Sequence, residues 1–292
     1  MKRKDFIKKG ILTGLSAGFL SNNLMANQFK SDKSKKSKLL KSLGYNHIPN
    51  KETKTMNTVL HKANTRGSAD HGWLKVNHTF SFANYRNPER MNFGVLRVLN
   101  DDTIAGGKGF SAHPHDNMEI ITIPLEGSIF HKDNMGNESE ITTGDIQVMS
   151  AGTGVVHSEI NGHETNDLKV MQIWLFTNKR DVKPRYQQLP IRDLEVKNQF
   201  YQVLSPNKSD QGVWVYQNAW FNIASFDKSE RLTYRMKDKR NGLYAFIIEG
   251  EAEIEGQELR KRDGFGIWDT DKISIAVTAK SKILLMDVPM EI

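Results

Sequence analysis

Two short segments hold the side chains best suited to chemistry, His113-Pro114-His115 and His157-Ser158-Glu159. In an extended strand, residues two apart project to one face about 6–7 Å from each other. A His-x-His pair therefore presents two imidazoles to a single point. A His-x-Glu pair on a facing strand can add a third nitrogen and a carboxylate. Three imidazoles and one carboxylate would make a mononuclear site of nitrogen and oxygen donors, with one or two positions open on an octahedral ion. Such a set suits Fe(II) and is also open to Mn, Co, Ni, Cu or Zn. Cysteine is absent, which removes thiolate ligands, disulfides and a thiol nucleophile. Pro114 has no N–H for a strand ladder, so its segment belongs at an edge or barrel rim, where a substrate could enter. The simpler alternative is that the histidines are exposed residues flanking a turn.

Positioning these residues requires β-structure, and the sequence from residue 58 onward reads that way. Phe93–Leu99, Glu119–Leu125, Ile146–Met149, Leu168–Phe176 and Trp220–Phe226 are short apolar runs, as are Tyr244–Glu249, Phe265–Trp268, Ile273–Val277 and Ile283–Val288. Each is too short for a typical helix and rich in β-branched or aromatic residues. Turn signals separate them at Asn100-Asp101-Asp102, Gly106-Gly107, Gly136-Asn137 and Asn241-Gly242. Many closely spaced strands indicate an antiparallel sandwich or barrel. Residues 178–198 carry Pro184, Pro190 and several charges, which suggests a connection between two domains dividing near residue 185. The first domain would span 57–185 and the second 186–292. His163 is the last histidine, so the second domain cannot build a three-imidazole site.

The chain has 292 residues and a net charge of +7, but the charge is unevenly placed. Residues 1–55 hold thirteen Lys and Arg against three acids, leaving the remainder slightly acidic. That distribution argues against a nucleic-acid-binding body. Residues 1–26 combine a basic start, a short apolar stretch from Ile11 to Leu20 and small residues near Ala26, the pattern of an export signal. Arg3-Lys4-Asp5-Phe6-Ile7-Lys8 is similar to a twin-arginine signal with Lys4 in the second position, which implies a periplasmic destination. The alternative is a cytoplasmic protein with a basic N-terminus. Residues 27–56 read as a Lys-rich solvated linker. After residue 26 no stretch approaches the ~20 apolar residues of a membrane span, so no transmembrane anchor is expected once the signal is removed.

Longer motifs surround the two histidine segments. Gly107, His113-Pro114-His115, Glu119 and Gly127 resemble the first cupin motif, and Gly144 through Glu159 (GDIQVMSAGTGVVHSE) resembles the second in its pirin form. His71-Gly72-Trp73, His78 through Tyr85, Leu96 through Asp102 and Gln172-Ile173-Trp174 extend the resemblance over roughly residues 58–290. It is especially close to bacterial pirin-like quercetinases. The resemblance implies an all-β bicupin of two double-stranded β-helix (jelly-roll) barrels, with one metal in the N-terminal barrel held by His113, His115, His157 and Glu159. It implies a quercetin 2,3-dioxygenase acting on a small aromatic substrate with O2, with Glu159 also a candidate base. Other readings are a non-enzymatic redox sensor or protein-binding module, and a cupin enzyme with a different small substrate. Ordinary cupins take their carboxylate from the first motif, where Glu119 stands. Its parity with His115 places it inward on a regular strand, so Glu119 is expected as a supporting or substitute ligand. His61, His71 and His78 are expected in packing, capping or surface roles, and His163 in an exposed loop. His131, beside Asp133, is open between orienting a ligand and a loop hydrogen bond.

Overall fold

The computed structural model describes residues 56–292. The export signal and all but the last residue of the Lys-rich linker lie outside the described residues. The first twelve strands are β1 (Asn57–His61), β2 (Gly67–Asp70), β3 (Leu74–His78), β4 (Leu96–Ile104), β5 (Gly109–His115), β6 (Met118–Glu126), β7 (Ser128–Asp133), β8 (Glu138–Thr142), β9 (Asp145–Ser150), β10 (Val155–Asn161), β11 (Leu168–Phe176) and β12 (Arg185–Pro190). Ten more complete the chain: β13 (Tyr201–Ser205), β14 (Val213–Trp214), β15 (Trp220–Phe226), β16 (Glu230–Arg235), β17 (Asn241–Glu249), β18 (Glu251–Ile254), β19 (Gln257–Arg260), β20 (Gly264–Trp268), β21 (Lys272–Val277) and β22 (Ser281–Pro289). Among the described residues the helical content is two short 3-10 turns, Ala63–Thr65 and Ile191–Leu194.

These strands build two double-sheet barrels. In the first, a seven-stranded sheet in the order β12-β9-β6-β11-β4-β3-β2 faces a four-stranded sheet, β5-β10-β7-β8. In the second, β1-β20-β17-β22-β15-β13-β14 faces β16-β21-β18-β19. Edge strands are exchanged between the halves of the sequence. β1 pairs antiparallel with β20 of the second barrel, and β12 pairs with β9 of the first. The segment 178–198, read as a connection, therefore contains a strand of the first barrel's sheet.

Side-chain alternation fixes what each face does. On β11, Met171, Ile173 and Leu175 join a large apolar cluster that also takes in Phe221, Ile223, Phe246, Leu284 and Met286 of the second barrel. Burial of this cluster holds the two seven-stranded sheets face to face. The opposite face of β11 turns Gln172 and Trp174 into the first barrel. The second barrel's interior is filled by its own apolar cluster, including Phe226, Leu243, Ile254, Ile267 and Ile275. Pro114 does lie on an edge strand, since β5 ends its sheet.

Two turn signals prove to lie in strands, one inside a strand and one at its start. Asn100-Asp101-Asp102 lies within β4, which begins at Leu96. Two of its polar residues find partners there: Asn100 Oδ1 lies 2.9 Å from His78 Nδ1, and Asp101 binds the guanidinium groups of Arg66 and Arg262. Asn241-Gly242 likewise opens β17, where Asn241 Nδ2 donates to Asp287 at 2.7 Å.

Candidate metal site

The four-stranded sheet of the first barrel brings the chemistry-bearing residues together. His113 on β5 stands directly opposite His157 on β10, and His115 stands opposite Val155. Along β10 the alternation sends Val155, His157, Glu159 and Asn161 inward and leaves Val156 and Ile160 exposed. Gly109 permits the close approach of these two strands, because a Cβ there would lie 2.1 Å from the carbonyl oxygen of Glu159.

Inside the barrel three imidazoles converge. Ring centroids are 4.3 Å apart for His113 and His157, and 4.9 Å for both other pairs. One nitrogen from each of the three lies within 4.8 Å of the others. His113 Nδ1 lies 2.8 Å from the Ser111 carbonyl, so it is the protonated nitrogen and Nε2 is free. Nε2 of His115 and Nε2 of His157 are both buried with no hydrogen-bond partner. Buried polar atoms are rarely left in that state, and here a cation would satisfy both. Burial, reinforced by the neighbouring imidazoles, pushes His115 down to about 4 and His157 down to about 3. Both rings are therefore neutral near pH 7, with lone pairs ready for a metal.

Glu159 is buried in the same interior but belongs to a second, overlapping group with His131 and His157. Its two oxygens each accept a hydrogen bond from Gln172 Nε2 at 3.1 Å, and Thr122 Oγ1 donates to Oε1 at 3.4 Å. The four expected ligands thus share one chamber, with Glu159 turned toward Gln172. Sequence reasoning noted Gln172 only within a motif. Its inward parity in the apolar run of β11 is the signal that marks it. Asp102, on β4, is pushed up to about 8 by burial and then by Asp101 and Glu159, so it adds little negative charge near neutral pH.

Glu119 does not support the site. The chain leaves β5 at His115 and turns through Asn117, whose φ of 45° lies in the left-handed region. That turn breaks the parity with His115. Ile120 and Thr122 consequently face the chamber, while Glu119 shares the opposite face of β6 with Ile121 and Ile123. There Ser150 Oγ donates to Glu119 Oε2 at 2.7 Å, and Arg185 lies close by, bonded to Ser150. Burial nevertheless pushes Glu119 up to about 7.

The other histidines take structural places. His61 is buried against Tyr244, its Nδ1 2.7 Å from the phenol oxygen, and His78 pairs with Asn100. His71 and His163 are exposed. Trp174 meets His115 edge-on at 4.8 Å and Phe82 at 5.2 Å, so these aromatics line the chamber as well as filling core.

Comparison with known proteins places this geometry. Residues 59–175 match the Pirin family profile, and residues 202–288 match the quercetinase C-terminal cupin domain. A quercetin 2,3-dioxygenase of Escherichia coli strain K12 is 41% identical over 230 residues, covering 79% of this chain and 98% of that protein. The crystal structure of YhhW from Escherichia coli superposes with a TM-score of 0.76 at 40% identity, covering 80% of this chain and 98% of that one. The same bacterial pirin in complex with nickel(II) gives a TM-score of 0.75 at 39% identity, covering 80% and 99%. Two cupin-type barrels, a histidine-lined chamber in the first alone and matches of this extent establish that the chain belongs to the pirin family.

Proposed function

We propose that this protein is a metal-dependent dioxygenase that opens the heterocycle of a flavonol such as quercetin with O2 and releases carbon monoxide. His113, His115, His157 and Glu159 are assigned as the residues that hold the ion. Fe(II) is the assigned metal, with Mn, Co, Ni, Cu and Zn compatible with the same donors. The observation that carries the reading is the pair of buried, unpartnered imidazole nitrogens on His115 and His157, facing a third imidazole. Identity to named quercetin 2,3-dioxygenases supports the oxidoreductase class.

A bound divalent ion supplies Lewis acidity, which lowers the pKa of a hydroxyl brought to it. The protein supplies the rest. Glu159 is the buried carboxylate placed to accept the proton of the flavonol 3-hydroxyl, at an oxygen that Gln172 orients. Trp174, Phe82, Met118 and Met135 offer apolar surface to a planar ring and keep bulk water from the reacting face. The second barrel has no histidine and serves as a scaffold, covering the outer face of the first. Residues 1–26 are assigned as a twin-arginine-like export signal, which would place the mature enzyme in the periplasm. Cell fractionation tests this, and full-length chain held in the cytoplasm would refute it.

The activity is tested by incubating the Fe(II)-loaded full chain with quercetin under air and under nitrogen. The expected result is loss of flavonol absorbance under air alone, with carbon monoxide formed in equal amount. Loss without carbon monoxide, or no loss under air, would overturn the assignment.

A further inference from the structure

His157 is connected on its far side to a group that the proposed reaction does not use. In the β7–β10 register, His131 stands opposite Glu159 and Asp133 opposite His157. The His131 and Asp133 side chains are both fully buried, and His131 Nε2 lies 3.0 Å from Asp133 Oδ2. Asp133 is saturated with donors. Its Oδ1 accepts the backbone N–H groups of Met135 and Asn137 at 2.9 and 3.0 Å, and its Oδ2 accepts Asn137 Nδ2 at 2.8 Å. Although burial opposes it, these bonds and the one from His131 hold Asp133 below the usual carboxylate range.

Proton positions follow from this arrangement. An ionised carboxylate can only accept, so the proton lies on His131 Nε2. His131 Nδ1, on the other side of the ring, lies 3.4 Å from His157 Nδ1 and is placed to accept from it. The His157 proton must therefore sit on Nδ1, and its lone pair on Nε2. That is the nitrogen left buried without a partner beside His113 and His115. Two imidazoles and a carboxylate thus run in one line from a turn at the end of β7 to the centre of the chamber. Metal-bound histidines commonly give their second N–H to a carboxylate or carbonyl, which fixes the tautomer and raises ligand basicity. Here a second imidazole is interposed.

We propose that His131 and Asp133 are positioning residues that lock His157 in the Nδ1–H tautomer and thereby set the affinity and electronic character of the metal site. This inference rests on the assignment of His157 as a ligand. It makes His131 a residue that acts through His157 and never bonds the ion itself. The tilted packing of the Tyr186 ring on His131, with centroids 4.8 Å apart, holds the relay in place from the β12 side.

The test uses the full chain and Co(II), chosen for its visible d–d bands. Four proteins are titrated: the unaltered chain, His131→Phe, His131→Asn and His115→Ala. Phe keeps a ring against Tyr186 but removes both nitrogens, while Asn places an amide oxygen near the Nδ1 position and can again accept from His157. One equivalent of Co(II) is expected in the unaltered chain. His131→Phe should bind about 10–100-fold more weakly, with shifted d–d bands, and His131→Asn should recover most of the loss. His115→Ala serves as the control on the site itself. If the unaltered chain takes up no Co(II), or His115→Ala binds like the unaltered chain, the metal-site reading fails. If those behave as expected but His131→Phe keeps both affinity and spectrum, the relay alone fails. Two equivalents in the unaltered chain, with one lost in His131→Phe, would make His131 a ligand and overturn the positioning role. Apo-protein melting points distinguish a folding defect, because His131→Asn should restore the spectrum even where stability is not restored.

Discussion

Two buried glutamates of the first barrel, Glu119 on the outer face of the seven-stranded sheet and Glu159 on the inner face of the four-stranded sheet, should fail in opposite ways. Glu119 lies on the face toward the second barrel, 1% exposed, with Ser150 donating to it and Arg185 beside it. Glu119→Ala leaves the buried Ser150 hydroxyl, which donates to it, short of an acceptor, at about 1–2 kcal/mol. The small cavity adds about 1–2 kcal/mol. Together these give a loss near 3 kcal/mol in urea denaturation, with metal affinity unchanged within about twofold, since no atom of the chamber is touched. Glu119→Gln should cost about 1 kcal/mol or less near pH 7, because burial already pushes this carboxyl up to about 7. The sign of its pH dependence follows. A folded pKa raised above the unfolded value of 4.5 means stability is lost as pH rises through 7. Glu119→Gln should therefore gain on the unaltered chain as pH rises from about 4.5 to about 7, the window set by those two values, and change little beyond it. Glu159→Ala should show the reverse pattern, losing metal while keeping more of its stability. Loss of metal in Glu119→Ala at full stability would refute the placement of these two side chains.

Other perturbations test the frame around the site. His115→Ala is expected to abolish metal retention, beyond the roughly 10–100-fold typical of an outer partner, while circular dichroism stays that of the intact fold. Gly109→Ala forces a Cβ to within 2.1 Å of the Glu159 carbonyl and 2.6 Å of Ile160 Cα. It should destabilise by about 2–4 kcal/mol and weaken metal binding, because β5 carries His113 and His115; unchanged affinity would count against the edge-strand role. Apo-protein stability should fall on acidification. His61, His115 and His157 sit at about 4, 4 and 3, so the unfolded chain gains protons below about 6.5 that the folded chain refuses. Denaturation midpoints at pH 7 and pH 5 measure this, and His157→Gln should flatten the slope.

Much of this molecule was legible in its sequence where the pattern and the packing agree. β11 and β15 match the apolar runs Leu168–Phe176 and Trp220–Phe226 end to end, because both are central strands of seven-stranded sheets buried on two faces. Strands of the outer sheets, such as β8 (ESEIT) and β19 (QELR), alternate with charge and are only four or five residues long, so no apolar run marks them. β12 (RYQQLP) is half-buried along its whole length and ends in proline, which disguised it as a connection. The three histidines were legible because His-x-His and His-x-Glu parity survives wherever the strand is regular. Glu119 was misread because parity was carried through a turn, and a single left-handed residue, Asn117, reverses it. Asn100-Asp101-Asp102 resembled a turn because its polar partners, His78, Arg66 and Arg262, come from distant stretches of chain.

Diffraction at the metal absorption edge, on crystals of the Fe(II)-loaded protein, tests the ligand assignment most directly. A single anomalous peak should lie at about 2.0–2.3 Å, an ordinary coordination distance, from one nitrogen each of His113, His115 and His157, with Glu159 swung to meet it. A peak between His131 and His157, or one outside the first barrel, would contradict it.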